Sequence, residues 1–427
     1  MTAIAIFAVF VLLLLAGTPI GVVMMLAGSL GIGMAELGWL AIPNNFYASI
    51  AKYPLLALPM FILVGVIFDR SGVASRLVQF ATALIGRGPG MLPVVAISVA
   101  MIFGGISGSG PATAAAVGSV VLVAMARSGY APSFSATVVG AAASIDILIP
   151  PSIAFIVYSV MVPGASVPAL FAAGMIPGLL AGLTMMVPAI WLSRRHGFGV
   201  SERNLPRPPF WASLREASWG LVAPVLILGG MRAGWFTPTE AAVVAVFYGL
   251  FVGMVIYRTI HWRDILSILV EAAETSGIIL AIMGLASVFA YVVSTLGIID
   301  PIAHAITDTG LGSYGTLAVL VVLLLLIGMV LDGVSIFLIF VPLLIPLMRS
   351  FQWDPVWFGV LLTFMVAIGQ FTPPMAVNLM VSAKLAGISI EQTTRWAFWF
   401  VGAMLLLLIA LILMPGIVLW LPGILGY

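Results

Sequence analysis

The stretch "GISGSGPATAAAVGS", residues 105–119, breaks a chain that is otherwise close to continuous hydrocarbon. Inside a bilayer each unsatisfied backbone N–H or C=O costs several kcal/mol. A Gly-Ser-Gly-Pro break at that depth must therefore be buried in protein or line a cavity. Displaced by 223 residues, the sequence meets itself without a gap. "GISGSGPATAAAVGSVVLVAMARSGYAP" (105–132) falls on "GMVLDGVSIFLIFVPLLIPLMRSFQWDP" (328–355), pairing Gly105 with Gly328, Gly110 with Gly333 and Pro132 with Pro355. Further along, "SIDILIPPS" (144–152) falls on "AIGQFTPPM" (367–375), so Pro150-Pro151 meets Pro373-Pro374. A hairpin break followed at one fixed spacing by a double proline occurs twice.

Composition sets the solvent. Of 427 residues, 63% are hydrophobic and 7% charged, where a soluble domain carries about 25% charged residues. The mean hydropathy is +1.26. Such a chain cannot cover a water-facing surface, and it reads as an all-α polytopic membrane protein. The net charge of +2 and the lack of a basic tail give no case for nucleic acid. With no cysteine, disulfides, thiolate catalysis and Cys-ligated metals are excluded. "MTAIAIF" lacks the basic start of a signal peptide, so the first apolar run reads as a retained helix.

Taking "SRRHGFGVSERNLPRPPFWASLRE" (193–216) as the main cytoplasmic loop, spans fall near 4–17, 20–38, 55–75, 135–160 and 168–192 before it. After it come 217–233, 238–256, 275–298, 356–383 and 395–421, with 261–274 expected to lie flat on the membrane. The segments 92–127 and 312–350 are too long for one crossing and broken in the middle. If each enters and leaves on one side, 13 of the 16 basic residues face the cytoplasm, leaving Lys52, Arg232 and Arg349 outside. That satisfies the positive-inside rule. The expected architecture is about 10–11 transmembrane helices plus two re-entrant hairpins in an inverted repeat. Residues 1–54 would be N-terminal scaffold helices, 55–192 the first repeat (hairpin 92–127, broken helix 135–160) and 217–260 linking scaffold helices. Residues 261–427 would be the second repeat (hairpin 312–350, broken helix 356–383). Interrupted segments at matching places in two inverted halves point to a transporter's midplane site.

The breaks have a chemistry. Prolines 150 and 151 remove two backbone donors and free the carbonyls about one turn upstream; Pro373 and Pro374 do the same beside Gly369 and Thr372. Carbonyls with hydroxyls form the neutral oxygen cage that replaces an alkali ion's hydration shell. Gly105, Ser107, Asp146, Ile149 and Ser152 compose one candidate sodium site, and Gly328, Asp332, Gly369, Thr372 and Met375 the other. Ile149 and Met375 would contribute carbonyls, and Asp146 is costly at the bilayer centre. Past the tips, Ser109 and Asp332 are expected to cap half-helices that open at Gly110-Pro111 and at Gly333. Their positive ends would face an anionic substrate. Gln370 and Asn378 lie at the same depth, which makes them candidate substrate contacts together with Ser109. Few intramembrane carboxylates are available to carry protons, which favours sodium coupling. Glu240 reads as a first-turn helix cap, Glu271 and Glu274 as one face of the flat helix, and Lys384 as an end anchor.

These residues carry a resemblance. "YPLLALPMFILVGVIFDRSGVASRLV" (53–78), "IFGGISGSGPATAAAVGSV" (102–120), "ILIPPSIAFIVY" (147–158), "GWFTPTEAAVVAVFYGL" (234–250) and "DPVWFGVLLTFMVAIGQFTPPMAVNLMVSAKLAGIS" (354–389) run in the order of one family. The chain resembles the large membrane subunit of tripartite ATP-independent periplasmic (TRAP) transporters of the bacterial inner membrane. The resemblance implies an elevator transporter that takes up a carboxylate-bearing organic anion on a sodium gradient, Na+ being the only cofactor. It further implies two partners, a periplasmic substrate-binding protein and a small four-helix membrane subunit that would be a separate chain. It places one sodium at Gly328, Gly369, Thr372 and Met375, and a second between the first hairpin tip and the 146–152 break. Asp146 departs from the glycine usual there and could bind that sodium more tightly, bring in a proton or repel an acidic substrate. The alternatives are a stand-alone sodium-coupled divalent anion symporter and an ion channel. A membrane enzyme has no HExxH motif and no Ser/His/Asp cluster at one depth to stand on.

Overall fold

The computed structural model describes residues 2–86, 88–204, 208–298, 301, 310–331 and 333–427, with 203 and 204 as backbone only. The N-terminal part is α1 (Thr2–Leu15), α2 (Ile20–Met34), α3 (Ala41–Ile50), α4 (Ala57–Arg70) and α5 (Val73–Ile85). The expected 55–75 span stops at Arg70, because Gly72 takes a left-handed φ of 72° and turns the chain into α5. The first broken segment is a helical hairpin, α6 (Met91–Ser107) and α7 (Gly110–Arg127), whose arms pack along each other. The 135–160 segment divides into α8 (Pro132–Ala143) and α9 (Ile153–Met161), bent by 40° at the double proline.

The chain continues through α10 (Val167–Arg195), α11 (Phe210–Arg232), α12 (Pro238–Phe251) and α13 (Trp262–Thr295). Since α11 starts at Phe210, the connection is 196–209, shorter than the cytoplasmic loop expected over 193–216. The expected flat helix over 261–274 is corrected as well. Those residues are the first turns of α13, whose 34 residues form one uninterrupted rod. At 1.5 Å per residue the rod is about 50 Å long, against a hydrocarbon core of about 30 Å. Its polar first third therefore extends beyond the lipid, and no second helix is needed to carry Glu271 and Glu274.

The second half supplies α14 (Gly312–Gly328), α15 (Gly333–Ser350), α16 (Pro355–Gly369), α17 (Val377–Ala386), α18 (Thr394–Leu413) and α19 (Gly416–Leu425). The expected 395–421 span is divided at Met414-Pro415, where proline withholds a helical N–H. Starts recur at the 223-residue offset: Gly110 and Gly333, Pro132 and Pro355. Partners are exchanged between the halves, for α9 packs on α15 while α17 packs on α7 and α8. The two hairpins differ inside this pattern: α14 barely touches α15 and lies instead along α16.

Among the described residues, seven helices are long and apolar enough to cross a membrane, or eight if the bent pair across the first double proline counts as one span. The described residues form eight further apolar helices of 10–17 residues, among them α6, α14, α16 and α17 at the hairpins and the second break. All regular structure among the described residues is helical. The chain is a multi-pass membrane protein.

Candidate functional site

The two breaks and the two hairpin tips meet. On the first side α6 ends at Ser107, Gly108 turns with φ 63°, and α7 starts at Gly110 with proline in its first turn. A Cβ on Gly108 would lie 2.9 Å from the Pro151 carbonyl oxygen, and one on Gly104 2.9 Å from the Asp146 Cα. Only glycine lets the tip approach the unwound segment this closely. Asp146 is fully buried there and accepts the Thr113 hydroxyl proton on Oδ2. Ser152 closes the break by donating to the Ile147 carbonyl (2.6 Å) and accepting from the Phe155 N–H (3.4 Å).

Ser109 occupies the position just before α7, as expected, but its side chain makes no capping bond. The backbone N–H groups of Gly108 and Ser109 lie instead beside the Asp146 carboxylate. That carboxylate thus approaches the tip from the opposite segment, ahead of the first turn of α7. Gly105 and Ile149 face away from the cavity at the tips. With Pro150 they line a second, apolar cavity of about 250 Å³ against α10 and α11.

On the second side the backbones of Gly328 and Gly369 touch, and a Cβ on either would come within 3.0 Å of the other's main chain. The Ala376 N–H donates to the Met329 carbonyl across the same contact (3.3 Å). Thr372 donates to the Ile368 carbonyl (2.6 Å), leaving its oxygen's lone pairs open. The Met375 side chain is exposed, so it has no part in a buried site except through its carbonyl. Asp332 lies outside the described residues.

A cavity of about 280 Å³ opens between the tips. Its wall contains Ser107, Ser109, Gly110, Pro111, Gly333 and Gln370. Asn378 is buried behind that wall, its amide against Gly110 and donating to Gln370 Oε1 (3.3 Å). Three buried side-chain oxygens among the described residues have no hydrogen-bond partner: Ser107 Oγ, Asp146 Oδ1 and Asn378 Oδ1. All three belong to this centre, and in a fold of this size such atoms call for an explanation.

Sequence reasoning missed the opposite wall. Gly65, Asp69, Glu271 and Thr275, from α4 and α13, face the tips across the cavity. Glu271 pairs with Arg70, which also donates to the Ser267 hydroxyl (2.6 Å). The signal was available in α4, where Asp69 ends an apolar helix and sits on the same face as Gly65, four residues earlier. Thr113 was readable too, one turn after Ser109. Glu240 is the expected cap, forming a reciprocal box with Thr237.

The fold and this centre define a secondary transporter of the membrane permease type. The family model for the tripartite ATP-independent periplasmic transporter, DctM component, matches residues 7–417, and the chain belongs to that family. It is 38% identical over 380 residues to the C4-dicarboxylate TRAP transporter large permease protein DctM of Pseudomonas aeruginosa, covering 88% of this chain and 87% of the relative. It is 35% identical over 426 residues to the isethionate TRAP transporter permease protein DctMQ of Oleidesulfovibrio alaskensis. That match covers 98% of this chain but 66% of the relative's length. Among solved structures, the YdaH transporter of Alcanivorax borkumensis superposes with a TM-score of 0.58 at 14% identity, over 90% of each chain. At that identity the likeness is one of fold. Like its family, the protein resides in the inner membrane.

Proposed function

We propose that the chain takes up a small organic anion across the inner membrane, driven by a sodium gradient, with the anion handed over by a periplasmic binding protein. A small four-helix membrane subunit completes the assembly. The observation that carries this reading is the meeting of two unwound segments and two hairpin tips around one cavity, with three unpartnered buried oxygens. The names of relatives support the substrate class, one being called a C4-dicarboxylate and one an isethionate transporter.

The residues suit sodium at both breaks. Ser107 Oγ and Asp146 Oδ1 are buried oxygens with no hydrogen-bond partner, free to coordinate a cation. Ser152 and the Ile149 carbonyl belong to the same unwound segment, with Gly105 behind it. The second set is Gly328, Gly369, Thr372 and the Met375 carbonyl, where the hydroxyl oxygen still has acceptor capacity. Bound sodium would supply positive charge beside the cavity, which an anion needs in a site whose own wall offers hydroxyls and amides. The N-terminus of α7 at Gly110-Pro111 and that of α15 at Gly333 direct free N–H groups toward the same space. Gln370 offers its side-chain amide, which Asn378 holds from behind.

The cavity extends from the tips toward Asp69, Glu271 and Thr275. Charge sorting puts that end on the cytoplasmic side. This geometry corresponds to the inward-open end of an elevator cycle, in which hairpins and broken helices slide against α4 and α13. Proteoliposomes carrying the complete transporter test the reading, with succinate and isethionate as probes. Uptake should require the binding protein and an inward sodium gradient, and should vanish under an equal potassium gradient. Equal uptake under both gradients would overturn the sodium drive.

A further inference from the structure

A second and larger cavity, of about 710 Å³, lies at the opposite end of the molecule. Its walls come from α3 with the segment after it, the end of α9, the last turns of α13 and the end of α15. Two basic side chains line it, Lys52 and Arg349, and among its described lining residues there is no carboxylate. Neither forms an ion pair among the described residues, whereas Arg70 at the cytoplasmic end is paired with Glu271. Lys52 donates only to a neutral acceptor, the Val160 carbonyl at the end of α9 (2.8 Å). Asn45, Tyr291 and Ser294 add amide and hydroxyl groups to the same walls.

The placement runs against the bias of the chain. Of 16 basic residues only three fall on the outer side, and two of these converge on one concavity. The third, Arg232, donates to the Leu425 carbonyl elsewhere (3.1 Å). A pocket of this volume suits a small molecule. A cleft lined by one sign of charge and bounded by low-dielectric walls concentrates ions of the other sign, by about 10- to 1,000-fold in on-rate.

We propose that this cavity is an outer capture site for a small carboxylate or sulfonate anion, distinct from the site between the hairpin tips and occupied before it. Lys52 and Arg349 hold the anion from opposite walls. An anion reaching Lys52 offers its ammonium a full charge in place of the Val160 carbonyl dipole. The proposal rests on the organic-anion reading above and deepens it by adding a station on the path.

The chain has no cysteine, so a single thiol can report on the cavity. Ser294 is exposed on its wall and is replaced, Ser294→Cys, in the otherwise unchanged full-length chain. The thiol is reacted with 2-sulfonatoethyl methanethiosulfonate and with its trimethylammonium counterpart, each rate normalised to that of a free thiol. The sulfonate reagent should be favoured by about tenfold, and the preference should fall to near unity with Lys52→Gln and Arg349→Gln. Lys52→Arg should retain it, which separates charge from shape. Succinate should slow the sulfonate reagent at concentrations where sodium chloride of equal ionic strength does not. A preference near unity overturns the proposal, as does one indifferent to both Gln substitutions, or succinate acting no differently from chloride. The same preference should persist in Thr372→Val and in sodium-free choline buffer. Failure of the sodium reading would thus leave this result standing, and normal sodium-driven uptake with no charge preference would sink the capture site alone.

Discussion

Gly369 and Gly328 show how much one hydrogen atom in place of a methyl group decides. A Cβ on Gly369 would lie 2.7 Å from the Gly328 Cα, closer than real Cβ atoms approach, and the obstructing atoms are backbone. Gly369→Ala should therefore push the second hairpin tip from its break and remove sodium-dependent stabilisation even if the protein still folds. Retention of that stabilisation would show that the contact is dispensable. Ala376 is the reverse case, a residue with a side chain held at φ 40° where glycine is at ease. Non-glycine residues in that region cost about 1–3 kcal/mol. Ala376→Gly should raise the thermal midpoint, by relief of strain that exceeds the added freedom of the unfolded chain; a lower midpoint would contradict this. At this scale the sequence was readable wherever a residue was chemically odd. Asp146 stood out as a carboxylate amid oil, and the structure gives it Thr113 as partner. Gly65 and Gly104 did not stand out, because their meaning lies in a close approach from another segment, which no local pattern carries.

Among the elements, the breaks were legible and the joins were not. Gly-Pro clusters mark where helices stop, and α6, α7, α8 and α9 begin and end close to their predicted places. The unbroken run of α13 was missed because Glu271 and Glu274 look like one face of a surface helix until a helix long enough to leave the lipid explains them. A further join escaped altogether. Glu202, in the connection between α10 and α11, is buried and accepts from the Tyr130 hydroxyl and from the N–H groups of Gly88 (3.1 Å) and Leu92 (3.4 Å). It thereby ties that connection to the base of the first hairpin. Burial pushes the Glu202 carboxyl above its ordinary value of 4.5, against the pull of these donors. The fold thus binds this proton more tightly than the unfolded chain does. Its contribution is fully present below pH 4.5 and is lost as pH rises through the raised value. Tyr130→Phe removes a donor that favours the ionised form, at about 1.5–3 kcal/mol for a hydrogen bond to a charged group. The loss should be largest at neutral pH, shrink as pH falls through the raised value, and speed trypsin cleavage after the already exposed Arg194 and Arg195, where α10 ends. An equal loss at all pH values, with no faster cleavage, would contradict the tie.

The whole molecule is a two-sided object, and its charge asymmetry tells the same story as its cavities. With both hairpins re-entrant, as the sequence leads one to expect, thirteen basic residues sort to one face. The cavity at the hairpin tips runs toward that face, while the cavity with Lys52 and Arg349 lies at the other. The repeat was legible at the level of spacing, down to helix starts 223 residues apart. The exchange of partners between its halves was not, because an offset in sequence says nothing of which helix crosses to which. That exchange brings both breaks to one centre, where three buried oxygens stay unpartnered. Sodium binding at this centre is decided by the thermal stability of the purified chain titrated with sodium, potassium, lithium and choline chlorides. A ligand that binds only the folded state raises stability by about RT ln(1 + [L]/Kd). Sodium should give a saturable rise, absent with potassium and choline and abolished by Thr372→Val. An identical response to all four salts would contradict sodium binding at this centre.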